Sequence, residues 1–218
     1  AVCPTGAITI KKSKGKVWNA LFDPTKRVIA QVAPAVRVAL GEEFGMAPGE
    51  NSIYKIYTAL HMIGFDLCFD TSVSADMTII EETNELAEIL SRNEERRYPL
   101  FTSCCPAWIR YIELNHPQLL PNLSSAKSPM MMAGALAKTY GAKEIWKTAP
   151  ESVYVVGVMP CTAKKFEATR PEFHSAASYW RKQGRDADYP DIDTVHGERR
   201  ASNCQSALCR TDPVFSHR

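Results

Sequence analysis

The hydrophobic residues of this chain form short continuous runs that alternate with longer segments in which they recur at helical spacing. Short runs rich in β-branched and aromatic residues predict strands over residues 28–32, 67–69, 100–102 and 153–158. Helical spacing predicts helices over residues 34–44, 52–63, 75–92, 106–115 and 130–140, with a connector over 9–26. Strands that alternate with helices predict an α/β fold, in which helices flank a sheet that is mainly parallel.

Composition places the chain among ordinary globular proteins, because 45% of its 218 residues are hydrophobic and 23% are charged. Its net charge of +2 is too small to indicate nucleic-acid binding, and the basic residues form no stripe interleaved with aromatics. The longest apolar runs, over 130–137 and 153–159, are shorter than the roughly 20 residues that a membrane-spanning helix needs. The sequence therefore predicts neither a nucleic-acid partner nor a membrane span.

Seven cysteines without a recognisable signal peptide indicate metal or redox chemistry in a reducing compartment rather than a disulfide framework. Cys3-Pro4 matches the end of the ferredoxin run C-x2-C-x2-C-x3-C-P, whose last cysteine ligates an iron–sulfur cluster. A buried structural cysteine is an equally good interpretation of Cys3 alone. Cys68 lies in an apolar stretch, where we expect it to be buried and inert. Since the chain begins with Ala1 rather than methionine, we expect it to be a piece of a longer protein.

Two cysteine motifs follow predicted strands at the point where each strand turns into a helix. Residues 102–108 read T-S-C-C-P-A-W, and residues 159–167 read M-P-C-T-A-K-K-F-E. Ligands of open α/β sheets bind beyond the carboxyl ends of the strands, near helix N-termini. Neighbouring side chains of an extended segment point to opposite sides, so Cys104 and Cys105 can do different jobs. We therefore expect both motifs to contribute to one shared site.

These motifs resemble two signatures of the active-site domain of iron-only ([FeFe]) hydrogenases, T-S-C-C-P-x-W and M-P-C-x-x-K-x-x-E. Residues 32–37 and 123–129 also resemble family segments, and the resemblance extends from the first residue to about residue 195. It implies a partial lobe of the two-lobed hydrogenase domain over residues 27–195, preceded by a remnant of a ferredoxin-like domain and a connector over 1–26. Residues 196–218 then form a divergent or disordered tail.

The resemblance implies the reversible reduction of protons to H2, with electrons from ferredoxin or a similar carrier. The implied cofactor is the H-cluster, a [4Fe–4S] cubane joined through a cysteine sulfur to a two-iron unit with CO, cyanide and dithiolate ligands. An accessory [4Fe–4S] cluster is implied for the longer parent, with Cys3 as a ligand. By the same resemblance, Cys105 and Cys161 ligate the cubane, and the Cys104 thiol passes protons to the two-iron unit.

Further residues are implied around the two-iron unit. In the family the ammonium of Lys164 donates to one cyanide, and the backbone after Pro34, including the Ala35 N–H, meets the other. The pocket around the diatomic ligands is lined by Pro129, Met130 and Met159. Ala35 stands where some family members have serine, and Met130 stands where glutamine is frequent, so the polarity of the pocket differs from theirs.

Glu82 and Glu85 can be interpreted from helical spacing before any resemblance. An apolar stripe at i, i+7 and i+10 of the predicted helix is formed by Ile79, Leu86 and Ile89. Glu82 falls on this stripe at i+3, and a carboxylate on a core-facing position is costly unless it is partnered or functional. Glu85 is one turn away, so the two could hand a proton along the helix. The resemblance assigns both, with Ser124, to a proton path that ends at Cys104.

The third family signature, E-x-M-x-C-x-x-G-C, is missing from the chain. Cys204 and Cys209 lack its spacing, its glycine and its preceding glutamate and methionine, so we assign them no ligand role. We therefore expect the 218 residues alone not to hold a working site. The alternatives are a non-hydrogenase iron–sulfur assembly or carrier paralogue and an inactive fragment that merely folds. Cytoplasm and a hydrogenosome-like organelle both stay open as the compartment, as does the oligomeric state.

Overall fold

The computed structural model describes residues 11–92 and 98–197. Its helices are α1 (Lys14–Leu21), α2 (Pro34–Ala39), α3 (Ile53–Ile63), α4 (Ser72–Arg92), α5 (Pro106–Asn115), α6 (Pro129–Leu136), α7 (Ala163–Glu167) and α8 (Ser175–Lys182). Its strands are β1 (Arg27–Val32), β2 (Leu67–Asp70), β3 (Val153–Val158) and β4 (Thr194–His196). Short 3-10 helices lie at Leu40–Phe44, Pro117–Asn122 and Pro150–Ser152, and a π-helix at Ala137–Ile145 continues α6.

The four strands form one parallel sheet in the order β2-β1-β3-β4. Ala30 of β1 lies opposite Cys68 on one side and Val156 on the other. The side chains of β1 alternate between two buried clusters, with Ile29 in one and Val28 in the other. A parallel sheet is buried on both faces by its crossover helices, which explains why the strands are nearly continuous apolar runs. The predicted α/β fold with a parallel, helix-flanked sheet is confirmed.

The prediction of a strand over residues 100–102 is wrong. Phe101 forms only an isolated bridge with Leu123, and no residue of this segment joins the four-stranded sheet. The Phe101 N–H donates to the Asn122 carbonyl, and the Phe101 carbonyl accepts from Ser124 N–H, both at 2.7 Å. Both backbone hydrogen-bonding groups of Phe101 therefore bond to residues 122 and 124 rather than to a strand of the sheet. Pro106 begins α5 before a longer ladder of hydrogen bonds can form.

The predicted connector over residues 9–26 contains helix α1. Its lysines are exposed, whereas Ala20 is buried and Val17 and Leu21 pack on the cluster that lies under β1. The Ser13 hydroxyl donates to the Val195 carbonyl at 2.7 Å and fastens the start of this helix to β4. The run of lysines gives no sign of a helix in the sequence. Three apolar residues on one face are nevertheless enough to hold a helix of this length against a sheet.

Two predicted helices are modified at their C-terminal ends. The helix predicted over 34–44 is α2 followed by a 3-10 turn that ends at Gly45, which has the left-handed φ of 77°. The helix predicted over 130–140 changes into the π-helix after Leu136. Within the two described stretches, no helix has the length and apolar character that crossing a membrane requires.

Candidate active site

The carboxyl ends of β1 and β3 bring two of the predicted site segments together. The Ala33 N–H donates to the Val158 carbonyl at 3.0 Å, and the Met159 N–H donates to the His196 carbonyl at 2.8 Å. Pro34 is the first residue of α2, and Cys161 follows β3 by three residues. The parallel register therefore places the start of α2 and the Cys161 motif at one edge of the sheet, as the sequence predicts.

Lys164 joins the two cysteine motifs. Its ammonium donates to the Cys104 carbonyl at 2.8 Å and to a Glu167 carboxylate oxygen, also at 2.8 Å. Glu167 is buried and belongs to the same short helix, α7, which packs against α5. An ammonium has three donors, so Lys164 can bond one further acceptor while it holds these two. The contact brings residues that are 60 positions apart in the sequence to one place.

The thiols of this region differ in their exposure. Cys104 is half-buried, Cys105 and Cys161 are exposed, and none of the three is in a disulfide. Cys105 is the N-cap residue of α5, with Pro106 in the first turn. Cys105 and Cys161 are thus available as thiolate ligands, the usual donors to an iron–sulfur cluster.

The described residues fit only part of an iron–sulfur site. A [4Fe–4S] cubane takes four cysteine ligands, and in residues 11–92 and 98–197 no three Cys, His, Asp or Glu side chains are grouped as a metal site. Cys105 and Cys161 offer two donors. The predicted ligand Cys3 and the tail residues Cys204 and Cys209 lie outside the described residues.

Helix α4 presents a polar face to the site, and the predicted apolar stripe is wrong. Ile79 is 60% exposed and Leu86 38% exposed, whereas Ile89 is 1% exposed. The inward face instead carries Ser74 and Thr78, both buried, and Glu82 and Glu85 lie on it between Thr78 and Ile89 at i+4 and i+7. The two glutamates are therefore half-buried on the helix face that carries Ser74 and Thr78.

Glu85 is bonded to the loop that carries Ser124. The buried Ser124 hydroxyl donates to Glu85 Oε2 at 2.6 Å, and the Ser125 N–H donates to the same oxygen at 3.1 Å. One oxygen of Glu82, Oε1, is buried and accepts no hydrogen bond from any described residue. Such an orphaned buried oxygen is costly, and a water or a proton would relieve it.

The loop of residues 123–128 also contacts the first cysteine motif. The Ser103 hydroxyl donates to the Ala126 carbonyl, and Phe101 brackets Ser124 as described above. Glu85 also lines a groove of about 590 Å³ between α4 and α6, together with Glu81 and Glu88. The structure thus connects this groove, through Glu85 and Ser124, to the segment that carries Cys104.

Met130 and Met159 meet over Gly157 of β3. A Cβ atom at position 157 would lie 3.1 Å from Met130 Sδ and 3.5 Å from Met159 Cε, so glycine permits this close packing. Both methionines are buried, and Pro129 is the first residue of α6. Gln31, which the motifs did not indicate, is fully buried and donates to the Met130 carbonyl at 3.0 Å. A glutamine within an apolar strand was the available signal, because a buried amide requires partners.

Cys68 is expected to resist alkylation in the folded chain. It is buried on β2, and this burial raises the pKa of its thiol to about 12. Since the thiolate is the nucleophile, iodoacetamide at neutral pH should label Cys105 and Cys161 first and Cys68 only after denaturation. Peptide mass spectrometry of the labelled chain measures each site separately. Labelling of Cys68 as fast as that of Cys161 would show that β2 is not packed as described.

Comparisons with known proteins agree with this geometry. Residues 26–195 match the family described as the iron only hydrogenase large subunit, C-terminal domain. Iron hydrogenase 1 of Clostridium pasteurianum is 49% identical over 169 residues, which are 78% of this chain and 29% of that protein. The cytosolic iron-sulfur assembly component 3 of Bos taurus is 35% identical over 169 residues, which are 76% of this chain and 35% of that protein.

Solved structures of [FeFe]-hydrogenase resemble the described fold. A variant of HydA1 from Chlamydomonas reinhardtii superposes with a TM-score of 0.75 at 38% identity, over 88% of this chain and 46% of that one. The chain spans about a third of the length of the curated relatives named above. The family model spans both cysteine motifs, and the relatives and solved structures cover more than three quarters of the chain, so the chain belongs to the family of iron-only hydrogenase large subunits, as part of their C-terminal domain.

Proposed function

We propose that this chain supplies the proton-delivery part of a site for the reversible reduction of protons to H2. The observation that carries the proposal is a pair of contacts made by the loop of residues 123–128. The Ser124 hydroxyl donates to Glu85 at the groove, and the Ala126 carbonyl accepts from the Ser103 hydroxyl next to Cys104. A proton relay needs titratable or hydroxyl groups within hydrogen-bonding reach of each other, and the 2.6 Å contact between Ser124 and Glu85 meets that requirement.

In this proposal Glu85 takes a proton from the groove and Ser124 passes it inward. Glu82 is the next acceptor, since its orphaned Oε1 atom can hold a proton or an ordered water. The Cys104 thiol is the last donor, because it is half-buried and adjacent to Cys105, the proposed cluster ligand.

Cys105 and Cys161 are proposed as two of the cysteine ligands of a [4Fe–4S] cluster, and Cys3 as a ligand of an accessory cluster. The linked two-iron unit, when bound, supplies the site at which protons and electrons combine. Lys164 holds a positive charge beside Cys104, and Ala35 N–H after Pro34 offers a backbone donor, so both suit anionic ligands such as cyanide. Pro129, Met130 and Met159 would line the pocket, and ferredoxin or a similar carrier would supply electrons.

A role in iron–sulfur assembly is the second candidate, because an assembly component is among the relatives at 35% identity. Identities of 48% and 49% to hydrogenases favour hydrogen chemistry. Cys104 also favours it, since a protein that delivers no protons has no use for a second thiol beside the ligand.

A chimera tests the proposal directly. Residues 26–195 would replace the matching segment of the Clostridium pasteurianum iron hydrogenase 1, followed by anaerobic maturation and a hydrogen-evolution assay with reduced viologen. We expect hydrogen evolution, together with the infrared bands of CO and cyanide. Those bands without any hydrogen would contradict the proposal. The 218-residue chain alone is expected to evolve none, since its described residues offer two of four cubane cysteines.

A further inference from the structure

An ion pair with a buried carboxylate holds the loop that carries Ser124. Lys127 Nζ lies 2.6 Å from Asp191 Oδ2, and the carboxylate of Asp191 is completely buried. Lys127 also contacts the Ser175 hydroxyl at the start of α8. Lys127 and Asp191 lie outside the two cysteine signatures, and the proton path described above uses neither.

Asp191 is a fixed anchor for this pair. Its second oxygen, Oδ1, accepts from the Ala176 N–H at 2.8 Å, and its own N–H donates to the Phe173 carbonyl at 2.9 Å. Gly134 of α6 packs directly on the Asp191 backbone, where any Cβ atom would overlap the carbonyl. Asp191 therefore has little freedom to follow Lys127 if the loop moves.

Lys127 connects this anchor to the groups of the proton path. Its carbonyl accepts from the Thr78 hydroxyl of α4 at 3.3 Å. Three residues earlier Ser124 donates to Glu85, and the Ala126 N–H donates back to the Ser124 hydroxyl oxygen at 3.1 Å. The loop is thus held to α4 at one side and to Asp191 at the other, with Ser124 between them.

We propose that Lys127 and Asp191 are positioning residues that keep the Ser124 hydroxyl within bonding distance of Glu85. The inference rests on the proposed function only in its last step, which gives Ser124 a role in proton delivery. Without the ammonium of Lys127, a completely buried carboxylate loses the cation bonded to it, and a loop rearrangement or water entry must compensate for this loss. Either change alters the geometry at Ser124.

Amide hydrogen exchange in the full 218-residue chain tests the positioning step. The Ser125 and Ala126 amides are the reporters, because they bond to Glu85 and Ser124. In Lys127→Met we expect their exchange to accelerate by about tenfold or more, with no change in the β1 amides. Lys143→Met is the matched control, since Lys143 pairs with Glu144 on the exposed surface; it should change neither set.

Lys127→Gln removes the positive charge and keeps a hydrogen-bond donor, so it provides a folded variant if Lys127→Met unfolds. A selective acceleration at Ser125 and Ala126 in this variant supports the positioning role. Unchanged exchange at both amides in a folded Lys127 variant, or equal acceleration in β1, overturns it.

The functional step is measured separately in the matured chimera. Lys127→Met should lower hydrogen evolution most strongly at alkaline pH, where protons are scarce and delivery limits the rate, with unchanged cluster infrared bands. A uniform loss at all pH values overturns the role in proton delivery. If selective exchange is observed but the parent chimera evolves no hydrogen, the positioning stands and the proposed function fails.

Discussion

Replacing Cys104 by alanine in the matured chimera is expected to lower hydrogen evolution by about 10²- to 10⁴-fold, the usual contribution of a positioned acid or base. Alanine removes the thiol at the end of the proposed relay and retains the Cys104 carbonyl, to which Lys164 donates at 2.8 Å. The link between the two cysteine motifs therefore survives, and the iron content and infrared bands should not change. The measurement is the rate per intact cluster.

The neighbouring cysteine provides the contrast. Cys105→Ala should lose iron itself, since exposed Cys105 is the proposed ligand, whereas Cys68→Ala should affect neither iron nor rate because Cys68 is buried in β2. If Cys104→Ala retains the full rate, or loses iron as Cys105→Ala does, the two thiols do not have the separate roles proposed here.

The sequence predicts the centre of the fold well for a physical reason. Residues 28–32 and 153–158 are continuous apolar runs, which a strand buried on both faces requires, and they form the two central strands. β4 has only three residues after an acid-rich segment, so no periodicity marks it. The apolar stripe predicted for α4 does not mark its buried face, since Ile79 and Leu86 are exposed and spacing alone does not show which face of a helix is covered.

The site, like the fold, has parts that the sequence predicts and parts that it does not. Cys161 and the start of α2 could be placed together because parallel strands share one carboxyl edge. The contact of the Ser124 loop with the Cys104 segment depends on the bridge at Phe101 and on the Ser103–Ala126 hydrogen bond. The contact of Lys127 with Asp191 joins residues 64 positions apart. Neither contact corresponds to a local pattern in the sequence, since each joins loop residues that are far apart along the chain.

Asp193→Asn is expected to lower the free energy of unfolding by about 3–5 kcal/mol, the cost of leaving a buried charge unpaired. Lys138 is 1% exposed and lies 2.7 Å from Asp193 Oδ2, with the Pro190 carbonyl as its other described hydrogen-bond acceptor. The side-chain oxygen of asparagine can still accept the hydrogen bond that the Val155 N–H now donates to Asp193. The lost free energy of unfolding therefore measures mainly the missing charge. Urea denaturation of the chain gives the value, and Lys143→Met, in an exposed pair, should change it by less than about 0.5 kcal/mol.

Two further measurements separate the charge from packing. Lys138→Met combined with Asp193→Asn should recover most of the lost stability, because neither member of the pair is then charged; additive losses would contradict this reason.

The stability of Asp193→Asn should also depend on pH. Burial lowers the pKa of Lys138 from its usual 10.5, and the nearby Asp193 carboxylate raises it again in part. Without Asp193 the folded state releases this proton more readily than the unfolded state, so the deficit of Asp193→Asn should shrink as pH rises towards 10.5. Since Pro190 and Asp193 flank Asp191, the same variant should also loosen the anchor of Lys127, which couples the stability of this core to the position of Ser124.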